Sequence, residues 1–178
     1  MKSLFIFLSL FFLTKDSDAQ TVTINPELNK FVGVWRWTSG TDTIEITLQK
    51  QVYINYLANN TQTEMLVGWH RYIKSAILQQ SSYQYIGRNE NLDYNDNSLD
   101  FKNTLLGTVY NTKPNEVFFL TCWDLVLHKN FNLWLTLLPG STTQATWKLT
   151  QGRGGLYAGP EGLNGIFSMP KNLVLTKL

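Results

Sequence analysis

Alternation of apolar and polar side chains is the feature that most constrains the fold of this chain. Between residues 44 and 49, isoleucine or leucine fills every second position, and Glu45, Thr47 and Gln49 lie between them. The same parity continues through residues 52–57 with no turn signal, which predicts one long strand. Because successive side chains of a strand point to opposite faces, this pattern predicts one buried face and one face in solvent.

Similar runs recur along most of the chain. They cover residues 64–74, 116–123, 131–138, 145–151 and 172–178. In the first of these runs Met65, Val67, Trp69 and Ile73 share one face, and Gly68 indicates a bulge or a close backbone approach. The only helical candidate is the short segment 26–31. We therefore predict an all-β fold, a single antiparallel β-barrel or strongly curled sheet of about 8–10 strands. The final run is expected to pair with an early strand and close the sheet.

The N-terminal segment has the pattern of a signal peptide. Lys2 precedes an apolar run at residues 4–13, which is shorter than the about 20 residues that a membrane-spanning helix needs. Small residues at Ser17 and Ala19 predict cleavage before Gln20. We expect residues 1–19 to be the signal peptide and residues 20–178 to be one domain. The mature protein would then be exported, periplasmic or secreted, without a membrane anchor.

Charge and cysteine content narrow the classes of partner. The formal net charge is +2 and no run of like charge occurs, so we expect no nucleic-acid partner. Cys122 is the only cysteine, which excludes an internal disulfide. Its bulky apolar neighbours indicate a buried, unreactive thiol. We expect the protein to be a monomer.

Gly33 and Trp35 follow the helical candidate in the segment "FVGVWRW" at residues 31–37. This segment resembles the start of lipocalins and fatty-acid-binding barrels. The resemblance implies a lipocalin-like barrel in which Trp35 closes one end beneath a cation from the last strand. Lys177 is the cation that the sequence offers for this role.

A wider resemblance covers residues 31–51, 66–74 and 169–178. These segments are similar to a family of small exported domains of unknown function from Bacteroidetes, flavobacteria especially. That resemblance implies export and a single β domain, and it implies no activity. Such chains often carry Asn-Gly after the second segment, where this chain has Ser75-Ala76. The poorer turn pair leaves the register of this hairpin open.

No motif in the chain predicts catalysis or a metal site. Residues 93–104 begin like a calcium loop, but Ser98 and Thr104 occupy the positions that need glycine and glutamate. His70 and His128 are too few for a transition-metal site. The glycine-rich segment 151–172 does not lead into a helix, as a phosphate site requires. We predict no enzyme activity, no metal and no cofactor.

Two functional hypotheses remain, because an eight-stranded barrel is either filled by side chains or encloses one small ligand. The first is non-catalytic binding of a small apolar or amphipathic ligand. Its site residues would be Trp35, Trp37, Trp69, Arg153, Tyr157 and Phe167. The second is an interaction or inhibitor-type domain with a filled core that binds another macromolecule through its loops. The first hypothesis requires a cavity of about 300–1,000 Å³ and the second an exposed apolar patch. A hydrolase ranks behind both hypotheses, since it would need a cluster of titratable residues with perturbed pKa values.

Overall fold

The computed structural model describes residues 22–55, 61–87, 105–109, 112–151 and 166–178. It contains two short 3₁₀ helices, Pro26–Lys30 and Tyr83–Tyr85, and ten strands. The strands are β1 (Val22–Thr23), β2 (Gly33–Ser39), β3 (Asp42–Asn55), β4 (Thr61–Lys74), β5 (Ile77–Ser81), β6 (Leu105–Thr108), β7 (Glu116–Asp124), β8 (Lys129–Leu137), β9 (Gln144–Gln151) and β10 (Asn172–Lys177). The expected signal peptide, the calcium-like loop at 93–104, Arg153 and Tyr157 lie outside the described residues.

Eight of the strands close into an antiparallel barrel. Their order is β4-β3-β2-β10-β9-β8-β7-β6, and β6 pairs again with β4. The prediction of an all-β barrel is therefore confirmed, as is the pairing of the final strand with an early one, because β10 lies between β2 and β9. Strands β1 and β5 are additional to the barrel, and each pairs with β4. One edge of β4 is thus shared in turn by β1, β6 and β5.

The ladder between β3 and β4 is the longest in the sheet, with thirteen paired residues on each strand. It confirms the single long strand that the alternation at residues 44–57 predicts, as far as Asn55. Gly68 of β4 faces the barrel interior in this ladder. A Cβ atom there would lie 2.5 Å from Cδ2 of Leu48 and 3.1 Å from Cδ1 of Leu105. The predicted close approach at this glycine is therefore confirmed.

Ser75 and Ala76 form the two-residue turn between β4 and β5. Their φ angles are 51° and 62°, the left-handed pair found in type I′ hairpins, which usually carry Asn-Gly. The amide of Ser75 donates to Oδ1 of Asp42 at 2.7 Å, and the amide of Ala76 donates to the carbonyl of Thr41 at 3.3 Å. The hairpin register, which the sequence leaves open, contains an irregularity between Tyr72 and the next residue.

Large side chains fill the interior of the barrel. Every one of the eight barrel strands contributes to a single buried cluster. Its members on these strands are Trp35, Ile44, Ile46, Leu48, Leu66, Tyr72, Leu105, Val117, Phe119, Cys122, Phe131, Leu133, Leu135, Leu137, Ala145, Trp147, Leu149 and Leu175. Of the two forms that an eight-stranded barrel can take, these buried side chains favour the filled form.

Candidate functional site

The end of the barrel where β2 begins is closed by Trp35 and Lys177, which are register partners. The indole Nε1 of Trp35 donates to the carbonyl of Phe31 at 2.7 Å. Nζ of Lys177 lies 5.4 Å from the centroid of the indole ring, within the range of a cation–π contact, and donates to the carbonyl of Lys30 at 3.1 Å. The predicted contact between Trp35 and a cation of the last strand is confirmed.

Gly33 is required beside this closure for two reasons. Its φ of +124° belongs to the region that favours glycine. A Cβ atom would also lie 3.1 Å from Cε of Lys177, so the lysine side chain would have to shift by a few tenths of an ångström. The Gly-x-Trp pattern therefore serves the end closure in this barrel.

The opposite end is closed by a hydrogen-bonded cluster around Asp124, which is fully buried. Its Oδ1 accepts from the amides of Val126 and Leu127, both at 3.1 Å, and so shapes the turn between β7 and β8. Its Oδ2 accepts from the amide of Ser168 at 2.9 Å. The hydroxyl of Ser168 lies 2.6 and 2.7 Å from the two carboxylate oxygens. One carboxylate thus fastens the segment that enters β10 to the turn at the end of β7.

Gln80 and His70 extend the cluster across the interior. Nε2 of Gln80 donates to the hydroxyl of Ser168 at 2.8 Å, and its Oε1 accepts from the amide of Leu125 at 2.7 Å. Nε2 of His70 lies 3.2 Å from the same Oε1, which assigns the ring proton to Nε2 because a carboxamide oxygen only accepts. Burial lowers the pKa of His70, while the bond to Gln80 and the charge of Asp124 act in the other direction.

This cluster contains serine, histidine and aspartate, but they are not connected as a nucleophilic triad. An activated serine needs a base within hydrogen-bonding reach, and that base needs a third group to orient it. Here the hydroxyl of Ser168 is bound to the carboxylate of Asp124, and Gln80 stands between Ser168 and His70. Cys122 is also buried, and burial, followed by the charge of Asp124, raises the pKa of its thiol. The hydrogen bonds of the cluster join four separate segments of the chain, namely β4, β5, the turn after β7 and the segment that enters β10.

Sequence reasoning did not find this cluster as a unit. Asp124 and its side-chain partner Ser168 are 44 residues apart in the chain, and no local pattern relates them. The one available signal was the parity of His70, which is in phase with the inward residues Leu66 and Tyr72. A polar residue at an inward position predicts a hydrogen-bonded neighbour, although it does not say which one.

Trp69 lies on the outer face of the barrel, with 1% of its surface exposed. Because Gly68 faces Leu48 in the interior, the adjacent Trp69 must face outward, as do Met65 and Val67 with the same parity. The predicted ligand-binding role of Trp69 and Trp35 stays a prediction, but the two do not share a face. The two indoles are on opposite sides of the sheet.

Trp37 and Phe167 occupy separate places at the margins of the core. Trp37 is partly buried against the core cluster, on the same face of β2 as Trp35 because it pairs with the buried Ile44. Phe167 packs on Phe131 near the Asp124 cluster, with ring centroids 4.5 Å apart. The candidate ligand residues that the structure describes are thus distributed over both ends and the outside of the barrel.

The outer recess lies at the border of β2 and β10 and has a volume of about 250 Å³. It is lined by Arg36, Trp37, Thr38, Val174, Thr176 and Leu178. Val174 and Leu178 are 42% and 65% exposed, so apolar surface remains open to solvent here. Sequence reasoning identified only Trp37 of this set, because the recess depends on the pairing of two strands distant in the chain.

A row of charged side chains adjoins the recess on the outer face. Arg36, Glu45 and Arg71 are direct register partners across β2, β3 and β4. Nε of Arg36 lies 2.6 Å from Oε2 of Glu45, and Nη2 of Arg71 lies 3.0 Å from Oε1. The side chain of Glu45 is 6% exposed, whereas those of the two arginines are 42% and 38% exposed. The guanidinium of Arg71 also stacks on Tyr83, 5.1 Å from the ring centroid.

Within the described ranges, no group of three or more histidine, cysteine, aspartate or glutamate residues could hold a metal ion. The same ranges contain no helix that is long and apolar enough to cross a membrane.

Comparison with known proteins places the chain in a family. The model of a family of unknown function, DUF6705, matches residues 1–178. The chain belongs to DUF6705. No curated protein and no solved structure matches it. The DUF6705 chain is thus a β-barrel domain of unknown function, which confirms that part of the sequence-based expectation. The Bacteroidetes source, the likeness to lipocalins and export stay predictions.

Proposed function

We propose that this DUF6705 protein is an exported, non-catalytic recognition domain that binds another macromolecule on the outer surface of a solid barrel. The filled interior is the observation that carries the proposal, since all eight barrel strands contribute side chains to one buried cluster. A macromolecular partner was the second of the two sequence-based hypotheses. The contact surface proposed here differs, because it lies on the strands β2 and β10 rather than on loops.

The outer recess has the composition of a contact site. Arg36 lines it together with the exposed apolar side chains of Val174 and Leu178, and arginine is enriched where interfaces gain most of their binding energy. Its volume of about 250 Å³ is below the roughly 300–1,000 Å³ of sites that enclose a whole small molecule. The recess therefore suits one side group of a larger ligand better than a complete apolar ligand.

The first experiment separates a solid barrel from a carrier of apolar ligands. The mature protein is incubated with palmitate and its intact mass is measured by native mass spectrometry, with tryptophan fluorescence in parallel. We expect no adduct and no quenching. A stoichiometric palmitate adduct that quenches the buried indoles would overturn the proposal in favour of the first hypothesis.

The second experiment tests the outer surface. Wild-type protein is sedimented with cell-envelope material from the encoding organism, next to the Arg36→Ala and Lys148→Ala variants. Lys148 is a matched control, because it is an exposed cation on β9 outside the recess. We expect at least a tenfold loss of bound protein for Arg36→Ala and none for Lys148→Ala. Equal losses, or no loss in either variant, would contradict a site at the recess.

A further inference from the structure

We infer that the seam between β2 and β10 binds the C-terminal tail of a partner protein, which joins the sheet as a short strand and places its terminal carboxylate at Arg36. This inference rests on the proposed function and names the ligand of the recess. Three observations support it. The ladder between the two strands ends early, main-chain donors and acceptors point into the gap, and a cation lies where the gap closes.

The ladder between β2 and β10 covers only part of each strand. Arg36 and Thr176 are its last pair in the direction of the recess. β2 continues beyond Arg36 to Ser39, and β10 begins at Asn172, four residues before Thr176. Although the structure describes both strands in full, no register pair joins these two ends, and the recess lies at their border. The ends form an open seam, which at about 3.3 Å per residue is roughly 10 Å long.

The hydrogen-bond pattern of the ladder shows which residues would have paired next. In an antiparallel pair, opposite residues that exchange both bonds alternate with residues that exchange none. The amide of Leu178 donates to the carbonyl of Val34 at 2.9 Å, so the bonded pairs recur at every second position from there. The third of them would join Thr38 to Val174, and the ladder ends before it.

The opposite edges of the two strands confirm this assignment. On β10, Lys171 accepts from the amide of Leu149 at 2.8 Å, so every second residue from 171 onward bonds to β9, and Val174 faces β2. On β2, Ser39 flanks the two-residue turn to β3 and bonds to that strand, so Thr38 faces β10. The N–H and C=O groups of Thr38 and Val174 therefore point into the seam, where the ladder has ended.

Main-chain groups at the spacing of a strand favour an extended polypeptide as the occupant. A strand that enters the seam offers N–H and C=O groups along both of its edges, as in the recognition of peptides by strand addition. A lipid or a sugar carries no such alternation. Thr38 and Val174 are both exposed, so the seam is open to a ligand. The recess of about 250 Å³ beside Val174 and Leu178 then holds one apolar side chain of the added strand.

The closed end of the seam favours a chain terminus. A strand that enters at Ser39 meets the ladder at Arg36 and Thr176, where it must stop or turn outward. The side chain of Arg36 is 42% exposed, and its partner Glu45 also pairs with Arg71, so two guanidinium groups share one carboxylate. A guanidinium attracts a carboxylate and repels an ammonium group. The terminus is therefore the C-terminus, and the tail runs parallel to β10 and antiparallel to β2.

The test is a titration of the mature protein with the peptide acetyl-Thr-Val-Thr-Val-Thr-Val, followed by the NMR signals of the Thr38 and Val174 amides. Two matched ligands have the same side chains. One is the C-terminal amide, and the other is methylated on alternate main-chain nitrogens, which removes the N–H groups of one edge. We expect the free acid to bind with a micromolar dissociation constant and each matched ligand to bind at least tenfold more weakly. Saturation with the acid should slow hydrogen exchange at both amides at least tenfold.

Variants connect binding to the closed end of the seam. Arg36→Ala should weaken binding of the acid at least tenfold and leave the weaker binding of the amide unchanged, a difference that a general disturbance of the strand would not produce. Lys148→Ala is the control, since Lys148 is an exposed cation on β9 outside the seam. If Arg36→Ala fails to fold, the comparison of acid with amide on the wild-type protein still tests the carboxylate.

Five results would overturn the inference: no binding of the acid at millimolar concentration, equal affinity for acid and amide, equal affinity for the methylated peptide, no change at the two amides, or dimerisation of the protein that the acid reverses. The last result would assign the seam to a second copy of the chain. After any of them, the proposed function stands if binding to envelope material still depends on Arg36. That function fails separately if Arg36→Ala keeps full binding to envelope material.

Discussion

The substitution Asp124→Asn tests how far the second closed end depends on one buried carboxylate. Asparagine keeps the size of the side chain but has one acceptor oxygen and an NH₂ group. If that oxygen stays with the turn amides of Val126 and Leu127, the NH₂ group faces the amide of Ser168, which then has no acceptor. Losing a charge-assisted hydrogen bond costs about 1.5–3 kcal/mol, and a buried amide without an acceptor about 1–3 kcal/mol. We expect the free energy of unfolding to fall by about 3–5 kcal/mol, a large part of the 5–15 kcal/mol typical of a domain.

Urea unfolding monitored by tryptophan fluorescence measures this loss, and thermal unfolding should show a midpoint lowered by about 6–20 °C. Ser168→Ala is the comparison, because it removes the hydroxyl that donates to the carboxylate and accepts from Nε2 of Gln80, and leaves the carboxylate with its backbone donors. We expect that variant to lose about 1.5–3 kcal/mol, less than Asp124→Asn. If Asp124→Asn stays within about 1 kcal/mol of the wild type, with an unchanged dependence on urea, the reasoning about this cluster is refuted.

Three further changes test other parts of the fold. Because burial lowers the pKa of His70 from 6.5, the unfolded chain takes up a proton that the folded chain does not. Stability should therefore fall below about pH 6.5, by at most about 1.4 kcal/mol per pH unit until the lowered pKa is reached. Urea unfolding of His70→Gln at several pH values should show no such dependence of the free energy of unfolding on pH. If the dependence is retained, a group other than His70 causes it. Gly68→Ala, which places a methyl group against Leu48, should cost about 1–3 kcal/mol, and a neutral result would show that Leu48 moves freely. Ala76→Gly should raise stability by roughly 1 kcal/mol, because it relieves a left-handed alanine; a lower melting temperature would contradict this.

Much of the barrel could be predicted because its strands show a single clear periodicity. In β3 the residues Ile44, Ile46 and Leu48 are all fully buried, as their alternation with polar residues requires. The contact between Trp35 and Lys177 was also predictable, but only through a resemblance, since no local pattern relates residues so far apart.

β4 shows where sequence patterns fail. Apolar or aromatic residues occupy both parities of this strand, as in Leu66 and Val67, so alternation does not decide which face is inside. The choice depends on Leu48 and Leu105, which fill the space over Gly68. That space exists only after β3, β4 and β6 have assembled. The same packing decides on which side of the sheet Trp69 lies.

The candidate site was less predictable than the fold because each part combines distant residues. Arg36 meets Thr176 only because β10 pairs with β2. Asp124 meets Ser168 across 44 residues of chain. Arg153 and Tyr157 stay sequence-based candidates.

The position of β10 has a consequence for how the chain is made. Strand β2 emerges from the ribosome more than 130 residues before β10, the strand that lies between β2 and β9 in the barrel. Until then both strands keep an unpaired edge, and the barrel stays open during nearly all of translation. A polypeptide built in this order cannot complete its barrel before the last strand has been made, so the contact that closes the barrel joins residues far apart in the chain and is expected to form slowly.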